Sequence, residues 1–434
     1  MRTKTSVVGT CLVAALAAAP WASEVGHAAD GNGPAAAAPT ARGGPLLGSP
    51  DFYPSPQRPI GWRADGSGIY PAAQPVATWS AKKNLLWTAN VGTGCSSPVL
   101  VGNRVVIAAE PDLLVCVDAA TGKELWRKAH KISDLPAELN AKAPNLSEHY
   151  GDATPTAVSD GKWVWVFFNA GIVACHDLQG KNRWMTWHPT RLATSYGRTA
   201  SPVLVGNRLL VHFGPLLCLD ASTGKLLWQN DKAKASYGTP AIARIGGVDV
   251  AITPKGHVVR VADGKTLAER LGSCGYVSPV VHDGVVYFID RTMSAVQLPE
   301  KAGDEMEGKE LWCEDLEGDF FASPLVCGGR VYAVDRAANY YVIDARTGKT
   351  LMKKTLDLPP AGRTDGPNVY SSLCLAGKHV LVGNDAGDMA LLEPGDRAAV
   401  AGTNSLGAGS GATPTFSGKR MFVRGGKLLY CIGE

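Results

Sequence analysis

Gly-Lys-Thr at 264–266 and again at 348–350 resembles the tail of a phosphate-binding loop, whose backbone N–H groups and lysine cradle phosphates. That loop also needs a glycine five residues earlier. Val259 and Ile343 stand there, so both tripeptides read as turn remnants. No Gly-x-Ser-x-Gly, His-Glu-x-x-His or Cys-x-x-Cys is present, which removes support for the hydrolase elbow, the zincin helix and the redox pair. Of the ten cysteines, nine remain once a leader containing Cys11 is set aside. Cys116, Cys175, Cys218 and Cys431 occupy one equivalent position in four repeating units, where another unit has Val342. They therefore read as small buried hydrophobes. Cys95 and Cys274 precede Ser-Pro pairs and are expected to be the exposed thiols. His212, His257, His282 and His379 are dispersed without ligand spacing, so no metal is expected.

The elements that must position any site show themselves by repetition. SPVLVGNR occurs at 97–104 and, letter for letter, at 201–208. A Ser/Thr-Pro pair recurs at Ser97, Thr154, Ser201, Thr239, Ser278, Ser323 and Thr413, with Ser372-Leu373 as a degenerate eighth. Each is followed by a short apolar run, a tight turn such as Gly102-Asn103 or Asp283-Gly284, and a β-type run such as RVVIAA or VVYFI. A third run ends in Asp118, Asp177, Asp220 or Asp344, then comes a turn such as ATGK or STGK. Trp126, Trp184, Trp228 or Trp312 closes a fourth strand. Four short antiparallel strands repeated eight times predict an all-β, eight-bladed β-propeller. Proline after Ser/Thr fits an innermost strand, which is an edge of its own sheet. The last unit stops after its third strand, and Asn84-Leu85-Leu86-Trp87 looks like the missing fourth. Residues 84–90 are thus expected to close the ring, with Trp87 joining the other tryptophans as packing between blades.

Arg2 and Lys4 precede an alanine-rich apolar run and small residues, the layout of a secretory signal over residues 1–29. Val8-Gly9-Thr10 is a poor lipobox for Cys11, so the mature chain is expected to be exported, periplasmic or secreted, and not lipidated. Residues 30–60, mixed Gly, Pro and Ala, read as a disordered linker before a propeller over residues 61–434. No later stretch is long and apolar enough for a membrane span. The formal net charge is only +4 with no basic run, which points away from nucleic acid. A monomer binding a protein or a small molecule is expected.

The blade-to-blade connections carry aromatic residues: His149 and Tyr150, Tyr196 with Arg198, Tyr237, Tyr276, Phe320 beside Phe321, and Tyr370. In a propeller they rise on one face around the axial channel. The bland reading is that they plug the channel. The functional reading is a concave aromatic mouth, where a ligand is sought first. His149, Tyr150, Tyr196, Arg198, Tyr237, Tyr276, Phe320 and Tyr370 are therefore the candidate binding residues. Second-to-third-strand turns add Glu110, Asp112, Asn169, Asp290, Arg291, Asp335, Arg336, Asn339, Asn384 and Asp385 to that face. Long connections over residues 127–152 and 353–371 are expected to cap it.

With the Ser/Thr-Pro start and the Asp-Ala-x-Thr-Gly-Lys-x-Leu-Trp close of residues 118–126 and 220–228, the units resemble the pyrroloquinoline-quinone-like (PQQ-like) propeller repeat. The resemblance covers roughly residues 61–434 and implies eight blades. The lead-in GWRADGSGIYPAAQPVATWSAKKNLLW is similar to that of exported bacterial proteins of this group. The family implies two functions. Quinoprotein dehydrogenases hold PQQ and calcium on the propeller face, with a catalytic aspartate, calcium ligands and, in the alcohol enzymes, an adjacent-cysteine disulfide. This chain has no Cys-Cys pair, and no segment matches the calcium ligands. The lipoprotein propeller of the outer-membrane β-barrel assembly machinery is a scaffold that binds partners through its loops. The expectation is an exported, non-catalytic binding or scaffold propeller without a cofactor, the alternative being a PQQ- and calcium-dependent dehydrogenase.

Overall fold

The computed structural model describes residues 54–55, 60–142, 153–189, 200–212, 214–358 and 368–434. The expected leader (1–29), most of the expected linker, and His149, Tyr150, Tyr196 and Arg198 lie outside the described residues. The sheets are eight, each with a four-stranded antiparallel core, as the repeats predict. Blade 1 runs through Val99–Val101, Arg104–Ala109, Leu113–Asp118 and Glu124–Ala129. The inner strands of blades 2 to 7 are Val158–Ser159, Val203–Val205, Ala241–Ile245, Val280–His282, Leu325–Cys327 and Cys374–Ala376. Blade 8 comprises Thr415–Ser417, Arg420–Gly425 and Leu428–Ile432, and its outer strand is Leu85–Asn90, antiparallel to Leu428–Ile432. The N-terminal strand thus closes the ring.

At the axis, the backbone N–H of each unit's first residue donates to the side-chain hydroxyl of the next. Ser97 donates to Thr156, Thr156 to Ser201, Ser201 to Thr239, and Thr239 to Ser278. Ser278 then donates to Ser323, Ser323 to Ser372, Ser372 to Thr413, and Thr413 back to Ser97. The donor–acceptor distances lie between 2.8 Å (Thr239 to Ser278) and 3.1 Å (Ser97 to Thr156), and all eight residues are buried. This corrects the second unit, where Thr156-Ala157 and not Thr154-Pro155 takes the inner position. Proline is dispensable there, whereas the hydroxyl is required because it satisfies a buried amide.

At the circumference, five tryptophans dock on the next blade's third-to-fourth-strand turn. The indole N–H of Trp87 reaches the Ala119 carbonyl at 3.3 Å, and Trp126 reaches Leu178 at 3.0 Å. Trp184 bonds Ala221 at 3.1 Å, Trp228 bonds Val261 at 3.0 Å, and Trp312 bonds Ala345 at 3.0 Å. Each ring lies over the turn glycine. A Cβ on Gly224 would meet Trp184 at 2.5 Å, and the φ of +73° there already disfavours a side chain. Each outer strand carries a bulge beside this position, for example at Leu227 opposite Cys218 and Leu219, and that increases the local twist.

The lead-in does more than supply Leu85–Asn90. The carbonyl of Ile60 accepts from Ser159 of blade 2 at 2.7 Å, and Ile69–Tyr70 pairs in parallel with Leu375 and Ala376 of blade 7. Residues 60–69 therefore cross the axial channel. Arg63, 1% exposed, sends Nη2 to the carbonyls of Pro324 at 2.7 Å and Leu373 at 2.9 Å, one residue past the hydroxyl ring. Burial lowers its pKa, opposed by Cys374 and Tyr70. Trp79 is then buried beside blade 7, its backbone N–H donating to Asn404 Oδ1 at 2.7 Å.

Two outcomes follow for stability. Ser201→Ala strands the buried N–H of Thr156, so a loss of about 1–3 kcal/mol is expected by urea titration. Ser201→Thr should restore most of it, since threonine already stands at 156, 239 and 413. Gly224→Ala is expected to cost about 2–4 kcal/mol from the left-handed backbone and the ring collision together. Combined with Trp184→Ala, it should cost less than the sum of the two, as a double-mutant cycle would report.

Candidate functional site

Each inner strand begins at the hydroxyl ring, so the residue two positions before the ring residue stands at the mouth of the channel. In blades 4 to 7 that residue is aromatic: Tyr237 before Thr239, Tyr276 before Ser278, Phe321 before Ser323 and Tyr370 before Ser372. The structure joins them into one belt. Ring centroids of Tyr237 and Tyr276 are 5.4 Å apart, those of Tyr276 and Phe321 4.7 Å with planes at 30°, and those of Phe321 and Tyr370 5.4 Å at 61°. Such spacings are within the favourable range for aromatic pairs. Tyr276 and Tyr370 nonetheless remain 49% and 42% exposed, so rings that order one another still offer a wide face to solvent.

Of the eight residues expected to bind, Tyr237, Tyr276 and Tyr370 are in the belt. Phe320 is not. It is 4% exposed and packs on Tyr341 at 5.9 Å in the core of blades 5 and 6, so the rim position passes to its neighbour Phe321. Tyr196 and Tyr150 stand five and six residues before Ser201 and Thr156 in sequence, out of the register that the belt follows. The missed signal was the spacing from the ring residue, which separates Phe321 from Phe320.

Three of the other four blades carry small side chains at the same register: Cys95 before Ser97, Thr154 before Thr156 and Gly411 before Thr413. Cys95 is exposed as expected. Cys274 is fully buried, because its N–H bonds the Pro254 carbonyl at 2.7 Å and draws this short connection into the seam of blades 4 and 5. Near Cys95 lies Arg424, 1% exposed, with Nη2 on the Gly92 carbonyl at 3.0 Å. Burial pulls the guanidinium down to about 10, against the opposing influence of Cys95 and Glu110.

Several polar groups assigned to this face serve their own turns. Asp335 accepts from the Asn339 N–H at 2.9 Å and from its side chain at 2.7 Å, and Asn384 bonds Asp388 at 3.1 Å. Asp290 and Arg291 are exposed. Among the described residues no three acidic, histidine or cysteine side chains converge as a metal site. The belt rings also stack on one another, so no planar slot separates them.

Fold and rim together define a class: an eight-bladed propeller of PQQ-like repeats that offers an aromatic half-rim at one mouth of a channel crossed by its own lead-in. A family model described as outer membrane protein assembly factor BamB matches residues 73–290 and 277–397, and the chain belongs to that family. It is 26% identical over 368 residues to the outer membrane protein assembly factor BamB of Burkholderia pseudomallei, covering 78% of this chain and 84% of that protein. To the BamB of Yersinia pestis it is 25% identical over 321 residues, 67% of this chain and 75% of that protein. In fold it is similar to the crystal structure of BamB from Moraxella catarrhalis, with a TM-score of 0.56 at 14% identity, covering 78% of this chain and 94% of that one. A computationally designed protein, Ika8, gives a TM-score of 0.53 at 14% identity over 80% of this chain and 99% of its own. The family agrees with an exported location.

The core and rim roles of adjacent phenylalanines are separable. Phe320→Ala is expected to destabilise by about 3–5 kcal/mol. Phe321→Ala should lower the melting temperature far less, and thermal denaturation of both variants checks the difference.

Proposed function

We propose that this protein is a non-catalytic, exported scaffold that captures a protein partner in the assembly of outer-membrane proteins, and that the belt of Tyr237, Tyr276, Phe321 and Tyr370 is its working surface. The carrying observation is the belt itself: four consecutive blades bring an aromatic ring to the same register, and two of those rings stay about half exposed. Tyrosine supplies flat, amphipathic contact at low entropic cost, which suits a docking surface. His149, Tyr150, Tyr196 and Arg198 extend the proposed surface, with Arg198 suited to a carboxylate on the partner. The family supports the assembly role.

Photo-crosslinking tests the reading. With a benzophenone amino acid in place of Tyr276 or Tyr370, adducts to a component of outer-membrane protein assembly are expected in the native host. The same probe in place of Leu125 on an outer strand should give far fewer. Tyr276→Ala with Phe321→Ala should lower partner capture at least tenfold with the fold retained. Adducts confined to the outer strand would move the working surface to the circumference. Stoichiometric binding of PQQ in the presence of calcium, with dye reduction by alcohols or aldoses, would replace the scaffold reading with the dehydrogenase.

A further inference from the structure

We propose that His130 and His176 form a two-coordinate site for a soft monovalent metal ion of the copper(I) and silver(I) class, at the seam between blades 1 and 2. His130 directly follows the outer strand Glu124–Ala129 of blade 1, and His176 lies in the third strand, Ile172–Asp177, of blade 2. Both side chains are 2% exposed, and their Nε2 atoms face each other at 2.7 Å.

Proton accounting makes the pair unusual. His130 Nδ1 is 2.9 Å from the Asp112 carbonyl, which only accepts, so Nδ1 carries the proton and Nε2 is a bare lone pair. His176 Nε2 must then donate to it in the metal-free protein. That leaves the unprotonated Nδ1 of His176 facing another acceptor, the Gly180 carbonyl, at 3.3 Å. Moving this proton from Nε2 to Nδ1 of His176 repairs the mismatch, because Nδ1–H then donates to Gly180. Both Nε2 lone pairs now converge on one point. A histidine whose Nδ1–H is held by a backbone carbonyl while Nε2 faces inward is the arrangement of a metal ligand. The move releases no proton and needs no oxidant.

The surroundings select the ion. Zinc takes four ligands, and among the described residues no third acidic, histidine or cysteine side chain joins the pair. A two-coordinate soft ion is satisfied by two imidazoles. Trp126 stacks on His176 with centroids 6.2 Å apart at 24°, and the Phe168 ring is 4.9 Å from that of His130. These rings exclude water and tolerate a single positive charge at their faces. With nitrogen–metal bonds of about 2 Å, the rings must part by roughly 1 Å. His130 can give way, since it stands where the strand has ended and a long connection begins.

The test uses the full chain with Cys11→Ser, Cys95→Ser and Cys313→Ser, which removes Cys11 and the two exposed thiols among the described residues, and silver(I) as the probe. Imidazole 15N spectra near pH 7.5 should show both Nε2 resonances displaced together by one equivalent of silver, and the melting temperature should rise. His176→Gln should weaken silver uptake at least tenfold and abolish the thermal shift. Uptake undiminished in that variant would overturn the proposal. So would spectra of the unsubstituted histidines in which His176 is doubly protonated and neither ring responds to silver, since the pair would then hold only a shared proton. The spectra are read without altering either histidine, so a variant that fails to fold does not block the decision.

Discussion

The closed ring of eight hydroxyl-to-amide hydrogen bonds is the constraint on which the rest of this propeller depends. Eight inner strands converge at the axis, where all eight ring residues are buried, and each brings a backbone N–H that must be satisfied. A serine or threonine at the same place in every unit solves this with the neighbour's hydroxyl, at distances from 2.8 to 3.1 Å. The solution is cyclic. Omitting a unit would leave one donor and one acceptor without partners, so the pattern ties blade number to chain length. It also explains why serine-leucine serves in blade 7 and threonine-alanine in blade 2: the hydroxyl is the invariant requirement, and the following proline only tolerates the edge.

The same ring determines what can be displayed above and below it. Above, a residue two positions upstream is fixed at the mouth, which is why four connections of different sequence deliver aromatic rings within 4.7 to 5.4 Å of their neighbours. Below, Arg63 bonds the carbonyls of Pro324 and Leu373, and residues 60–69 span the channel. A buried guanidinium held mainly by backbone carbonyls is costly. It is held here because the lead-in is anchored on both sides of the axis, by Ser159 in blade 2 and by Leu375 in blade 7.

Much of this was legible because the fold repeats. Turn residues, the Trp–Gly spacing and the truncated eighth unit each recur in sequence, and local repetition is what a single sequence displays. The misreadings fell where two residues competed for one slot. Thr154-Pro155 matched the motif better than Thr156-Ala157, yet the hydroxyl of Thr156 reaches the Ser97 amide at 3.1 Å. Phe320 and Phe321 are adjacent, and only their distance from Ser323 tells core from rim. The lead-in gave no sign of crossing the axis, since its contacts lie in blades 2, 6, 7 and 8 and follow no period. His130 and His176 are 46 residues apart and meet only because neighbouring blades share a seam.

The belt occupies half the rim, and that asymmetry separates packing from display. Were the aromatics present only to fill the channel mouth, all eight connections would face the same void and would be expected to carry bulk at the same register. Instead blades 1, 2 and 8 place Cys95, Thr154 and Gly411 there. A Cβ on Gly411 would meet the Cβ of Tyr370 at 2.8 Å, so no larger side chain fits beside the last residue of the belt. The lead-in already lies across the channel beneath, anchored in blades 2, 6 and 7, so channel filling alone does not require exposed rings. A surface that is aromatic over four blades and backed by a rigid hydrogen-bonded ring has the shape that the proposed docking of a protein partner requires.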